Sequence, residues 1–343
     1  MTGLRFAPAT APVFDHLLAM TDDRGLFEHA RYDAPRPEHG YCVDDAARAL
    51  VVLSRQRTKD PKLRDLEQRY LDFVLAAVTS DGRCRNRMDE DGQWTDLPST
   101  GDWWGRAVWG LGVAASTSAS PLIRVKALQG FRVAAQQRSP HNRAMAFAAI
   151  GAGHLLQDEP GERSAIDLLQ DCAEVVGAPG EGRDWPWPEP RLRYANASVP
   201  EALIIAGSVL HRPALLHRGL LLLNFLLDRQ TRDGHLSVTP VAGRGHEWPV
   251  PEFDQQPIEV AALAEACATA YRITGDPHWG IGLSLAWAWF LGDNDSTVCM
   301  FDPATGAGFD GLEAGGRNQN QGAESTLAVL ATAQLADRMR ATR

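Results

Sequence analysis

Long runs of a single kind are missing from this chain of 343 residues. No apolar stretch reaches the about 18 residues that a bilayer-crossing helix needs, and no basic region followed by an apolar run opens the chain, so neither membrane spanning nor export is expected. The expected location is therefore cytoplasmic. Lys and Arg number 34 against 43 Asp and Glu, a net charge of −9, and five basic residues never stand together. That balance excludes nucleic acid and anionic membrane as partners. Cysteine is sparse: residues 42, 84, 172, 267 and 299 are odd in number and contain no Cys-x-x-Cys pair, which excludes a disulfide frame and a zinc site. Ten histidines include no His-x-x-x-His or Cys–His spacing. Asp44-Asp45-Ala46-Ala47-Arg48 starts like an Asp-rich Mg²⁺ motif, but Arg48 stands where a third acid is needed. No metal and no organic cofactor is expected.

What the chain has is helix after helix. Spacing of apolar residues predicts twelve, at about 10–21, 44–57, 61–78, 103–116, 120–137, 142–157, 161–176, 200–210, 213–230, 257–273, 277–292 and 322–339, with no convincing strand. An internal repeat relates them: a shift of 152 residues lays Pro61 on Pro213, Leu63 on Leu215, Phe73 on Phe225 and the turn Asp81-Gly82 on Asp233-Gly234. The odd-numbered helices begin at proline and carry one apolar stripe, as outer helices do. Even-numbered helices carry Ala and Gly on several sides, as expected of helices buried all round. Six such pairs predict an all-α fold, one (α/α)6 toroid of six helical hairpins spanning residues 1–343. An open solenoid would show the same repeat, but loop lengths favour the closed ring. Connections into the inner helices are mostly long and those leaving them short, so the long loops gather at one pole.

At that pole six inner helices begin, and their starts share a polar grammar: Asp44-Asp45, Asp102-Trp103-Trp104, His141-Asn142-Arg143, Pro200-Glu201, Asp254-Gln255-Gln256-Pro257 and Gly322-Ala323-Glu324-Ser325. Any one of these acids could simply cap its helix, since Asp, Asn and Glu accept free backbone N–H groups and face the positive dipole end. Taken together they exceed what capping needs. Aromatic, amide and basic neighbours (Trp103, Trp104, Arg106, Asn142, Arg143, Tyr194, Asn196, Gln255, Gln256, Asn320) fall at the same pole, and Glu324 joins them as a binding residue. Such a mixture holds sugars, with rings on aromatic faces and hydroxyls on polar groups. Trp185 and Trp187 read equally well as a sugar platform and as a lid packed on the outer helices.

Geometry allows these acids to work in pairs. Helix axes ~8–10 Å apart put opposed inner helices roughly 16–20 Å apart, and side chains reaching inward leave a gap on the order of 7–10 Å. Inverting glycosidases keep their carboxyls about 6.5–9.5 Å apart and retaining ones about 5–5.5 Å. The expected opposed pairs are Asp44 or Asp45 with Glu201, and Asp102 with Asp254, one acid protonating the leaving oxygen and the other activating water. The sequence does not separate Asp44 from Asp45.

The phrases Tyr41-Cys42-Val43-Asp44-Asp45-Ala46-Ala47-Arg48-Ala49-Leu50, Tyr194-Ala195-Asn196-Ala197-Ser198-Val199-Pro200-Glu201, Phe253-Asp254-Gln255-Gln256-Pro257, Trp289-Phe290-Leu291-Gly292 and Asp310-Gly311-Leu312 leading to Gly322-Ala323-Glu324-Ser325 carry a family likeness. The chain resembles the six-hairpin glycosidase superfamily and, more closely, bacterial (α/α)6 domains found alongside or fused behind retaining-type glycosyltransferases. The resemblance covers nearly the whole chain and implies carbohydrate as the ligand class. Its superfamily includes hydrolases, lyases, epimerases and phosphorylases, so the reaction is read from the paired acids. The expectation is an inverting oligosaccharide hydrolase, with three alternatives in the same fold, namely an accessory carbohydrate-binding partner of a glycosyltransferase, an epimerase using histidines such as His141 or His246, and a uronate-directed lyase or hydrolase using Arg106, Arg143 or Arg244.

Overall fold

A computed structural model describes residues 11–56, 60–176, 180, 182, 184–245 and 252–341. Its α-helices are α1 (Asp15–Ala19), α2 (Val43–Arg55), α3 (Pro61–Ala77), α4 (Asp102–Thr117), α5 (Pro121–Ala134), α6 (Asn142–Asp158), α7 (Arg163–Val176), α8 (Ser198–Val209), α9 (Pro213–Gln230), α10 (Pro257–Thr274), α11 (Pro277–Leu291) and α12 (Ala323–Ala341). The expected outer starts are present: Asp60, Ser120 and Asp276 each cap a helix whose next residue is proline. Each cap accepts a first-turn N–H, a contribution of about 1 kcal/mol. The first helix is shorter than its apolar pattern suggests, and the predicted end of the second, at Arg57, and His246 lie outside the described residues.

The inner helices close a ring in the order α2, α4, α6, α8, α10, α12 and back to α2. Outside them, α3, α5, α7, α9 and α11 each pack on the inner helix that precedes them in sequence, and α1 packs on α12. The all-α toroid expected from the repeat is thus the observed fold. Four antiparallel ladders of two residues per strand were not anticipated. One, Thr231–Arg232 with His235–Leu236, is closed by the Asp233-Gly234 turn, where both residues take positive φ and so match the twist of a tight hairpin. Another pairs Tyr41–Cys42 with Arg87–Met88 and ties the approach to α2 to the long loop before α4.

The joints of the ring differ. Between α4 and α6 the contact is dry and close: a Cβ on Gly105 or Gly112 would overlap the backbone at Ala144 or Gly151. Between α12 and α2 the contact carries polar pairs along its length. Arg48 meets Glu324 at 2.6 Å, the Gln334 amide donates to Val52 O and Gln56 Oε1 (2.9 and 3.0 Å), and Arg338 donates to Arg55 O (2.6 Å).

Candidate active site

Because every inner helix runs the same way, their N-termini and the loops feeding them enclose one cavity of about 670 Å³ at a single pole. All six starts reach it: Asp44, Asp45 and Arg48 from α2, Asp102, Trp103 and Arg106 from α4, His141 before α6, Tyr194 before α8, Gln256 before α10, and Glu324 from α12. The acids do not face one another across the ring. They line the arc of three adjacent helices, α12, α2 and α4, joined by Glu28 and Asp310 from loops.

Neighbours set the state of each acid. Asp44 accepts from Arg106 at 2.6 Å and from the Asn86 amide at 3.3 Å. Burial alone would raise its pKa, but the Arg106 and Arg48 charges outweigh burial and hold it below the ordinary range. Asp45 is almost fully buried, with one oxygen on Arg48 (2.6 Å) and the other on the Cys42 thiol (3.2 Å). Burial pushes it up to about 6 against the pull of Arg48. Among the described residues no protein group hydrogen-bonds the Asp102 carboxyl, which lies in the first turn of α4 with Asp44 nearby. Burial, aided by the Asp44 charge, raises its pKa despite Arg106. Asp310 is likewise raised by burial, although it accepts from Gly322 N–H at 2.8 Å. Glu324 gives one oxygen to Arg48.

Sugar-binding candidates that reach the cavity are Trp103, Arg106, Tyr194, Gln256 and Glu324. Trp103 is held by its indole N–H on Cys84 O (2.8 Å), and the Arg106 guanidinium lies 5.7 Å from the Tyr194 ring centre. Others were misplaced by sequence reasoning. Trp104, one residue and about 100° round the helix from Trp103, is fully buried with its indole on Ala134 O at the end of α5. Arg143 spends its guanidinium on both Glu189 oxygens, Tyr194 O and the Asn196 amide oxygen. Asn196 in turn donates to Glu259 at 2.8 Å, so this trio fastens the loop before α8 and does not line the cavity at the pole. Asn142 is half-buried beside it and does not line the cavity.

Trp185 packs edge-on against Phe225 of α9, and Trp187 is buried, which makes the pair a lid on the outer layer rather than a sugar platform. Gln255 is fully buried, its amide bonded to Asp295 (2.7 Å) and Val238 N–H (3.1 Å). The Asn320 oxygen accepts from Tyr32 N–H at 2.9 Å, beside the cavity rather than in it. Two predicted catalytic acids are also elsewhere. Asp254 is exposed: bridges from Gln255 to Pro240 and Leu312 extend the chain there, and alternation turns 254 out where 255 turns in. Glu201 lies at the far end of the barrel, accepting from Thr269 near the last turn of α10 (2.8 Å). The opposed pairs expected from the sequence are therefore not formed.

Residues missed by sequence reasoning come from aperiodic segments. Glu28, His29, Asn86 and Asp310 all line the cavity. Donor atoms of Glu28, Cys42 and Asp45 lie within 4.8 Å of one another, a spacing a metal ion could use. Arg87 already meets Glu28, Arg48 meets Asp45, and burial first, then the Asp45 and Asp44 charges, raise the Cys42 thiol pKa, so these donors fit a hydrogen-bonded cluster rather than a cation cage.

No protein-family model and no curated protein matches the sequence. The fold is similar to those of a sugar epimerase from a ruminal bacterium (TM-score 0.69, 13% identity, covering 94% of this chain and 95% of that one) and a D-mannose isomerase (0.69, 10%, 94% and 94%). It is also similar to the cellulase Cel9M of C. cellulolyticum (0.61, 8%, 92% and 87%). At these identities the likeness establishes the (α/α)6 architecture.

Proposed function

We propose that this chain is a carbohydrate-active enzyme, a single catalytic unit that hydrolyses a glycosidic bond of an oligosaccharide at the pole of its toroid. Asp102 donates the proton to the leaving oxygen, Asp44 stays ionised and activates water, and the anomeric outcome is inversion. Trp103 and Tyr194 supply ring faces, while Gln256 and Glu324 hold hydroxyls. One observation carries the reading: two neighbouring carboxyls in one cavity have environments that push their pKa values apart, Asp44 down and Asp102 up. All three guanidiniums named for a uronate already meet carboxylates, Arg106 on Asp44, Arg143 on Glu189 and Arg244 on Glu252, which supports a neutral sugar. No described helix is long and apolar enough to cross a membrane, in keeping with a cytoplasmic oligosaccharide as substrate.

Epimerisation is the second reading, favoured by two histidines at the cavity: His141 acts on Asp102, and His29 lies beside Asp310 and Glu324. The likeness to a sugar epimerase and a mannose isomerase favours epimerisation no more than the likeness to a cellulase favours hydrolysis. A reducing-end assay over bacterial and plant oligosaccharides, with product NMR, separates the two. New reducing ends that disappear in Asp102→Asn establish hydrolysis. Conversion at constant mass that depends on His141 establishes epimerisation, and binding without turnover leaves the accessory role beside a glycosyltransferase.

A further inference from the structure

The hairpin of Ala30–Arg31 with Ala34–Pro35 carries Tyr32 at its tip. Its root is at the site, since His29 lines the cavity. Its tip is pinned to the segment on the other side of the rim: Tyr32 N–H donates to the Asn320 side chain, and Gln321 N–H donates to Tyr32 O, both at 2.9 Å. Gly322, the next residue, also lines the cavity. Tyr32 therefore stands on the lip of the site, one strand-end from its wall.

One feature of Tyr32 opposes folding and a second contributes little to it. Its φ of +54° lies in the left-handed region, which a bulky aromatic residue rarely occupies and which Gly or Asn would enter at less cost. Its side chain is 60% exposed, although aromatic rings contribute to stability mainly through burial. Strained backbone held in place by its surroundings marks functional positions. We propose that Tyr32 is a stacking platform for the sugar unit just outside the cavity, and that Asn320 is its positioning residue. The same hairpin borders a second depression of about 440 Å³, lined by Arg31, Ala34, Pro35, Arg36 and Glu38.

This assignment rests on the oligosaccharide reading and is tested by binding, separately from turnover. Calorimetry would use linear β-1,4-linked gluco- and manno-oligosaccharides from disaccharide to hexasaccharide. For the intact protein, affinity rises about tenfold once the chain outgrows the cavity, a factor that corresponds to about 1.4 kcal/mol. Tyr32→Ala and Asn320→Ala lose that rise and keep the disaccharide affinity; Tyr32→Phe, which retains the ring, and Asn320→Asp, which retains the acceptor, keep both. A rise that survives Tyr32→Ala overturns the proposal, as does an intact protein that shows no rise or binds neither series. Absence of new reducing ends with the rise intact removes the hydrolase reading and leaves Tyr32 in place.

Discussion

Carboxyls occur at both ends of the barrel, and Asp44 at the mouth and Glu201 at the floor are treated oppositely. At the mouth Asp44 meets its own guanidinium and Glu324 shares another, and all face a polar cavity. At the floor Glu201 and Glu265 share one another's company and a single bonded guanidinium, that of Arg55, which donates to Glu265. Above them runs a narrow void of about 50 Å³ lined mostly by apolar side chains. Burial first, then the Glu265 charge, pushes Glu201 up to about 8, so it keeps its proton where Asp44 cannot. Depth in the ring separates these two acids. A helix start only a few residues lower moves a side chain about 1.5 Å down the axis per residue.

The largest expected effect is at the mouth: Asp102→Asn lowers turnover by about 10²–10⁴-fold, the usual contribution of a positioned acid, with an unchanged circular dichroism spectrum. If Glu201→Gln does the same and Asp102→Asn does not, the contrast between mouth and floor is reversed. Next, Arg106→Ala strands Asp44 without its guanidinium and costs about 3–5 kcal/mol in urea unfolding. Adding Asp44→Asn to that variant restores part of the loss, because the stranded charge is gone.

A third effect is written in pH. Glu201 binds its proton in the folded chain up to about 8, whereas an ordinary glutamate releases it near 4.5, so between those values the folded state holds more protons. Its stabilising contribution is full below the lower value and is lost as pH rises through the upper one. Thermal unfolding of the Glu201→Gln variant should accordingly show a shallower decline over that window than the parent, and the variant should be the more stable of the two above it. An identical decline in both would mean that the floor acid is ionised as Asp44 is at the mouth. The smallest effect is at Asp254, which lies outside both regions: Asp254→Asn leaves turnover within about twofold, as surface changes away from a site usually do.

Much of this could be read from the sequence, for reasons visible in particular residues. Pro61, Pro121, Pro213 and Pro277 start outer helices because a first-turn proline loses no helical bond, and small residues at Gly105, Gly112 and Gly151 declare close approach. That the inner starts converge was legible too, and the cavity takes a residue from each. Which first-turn residue faces inward was not. Trp103 and Trp104 are alike in one dimension and separated only by rotation. Glu201 looked like a mouth residue because its helix seemed to start at 200, whereas α8 begins at Ser198 and sits low in the ring. Glu28 and Asp310 lie in segments without period and are delivered by long-range backbone bonds, Ala323 N–H to Glu28 O (3.1 Å) and Asp310 N–H to Asn320 O (2.9 Å). Nothing local announces such pairings.

The polar joint between α12 and α2 has a consequence for how the molecule is made. Every other joint in the ring links inner helices adjacent in the chain, but the Gln334–Val52 bond spans 282 residues. On a ribosome adding about 5–20 residues per second, α2 waits tens of seconds for its last neighbour. Throughout that time its flank carries Arg48 without Glu324, a charged edge that discourages the wrong helix from docking there. The site shares this timing, because Asp310 and Glu324 arrive with the closing segment. A nascent chain short of α12 is an unclosed arc without a complete cavity, so the site exists only once the ring shuts.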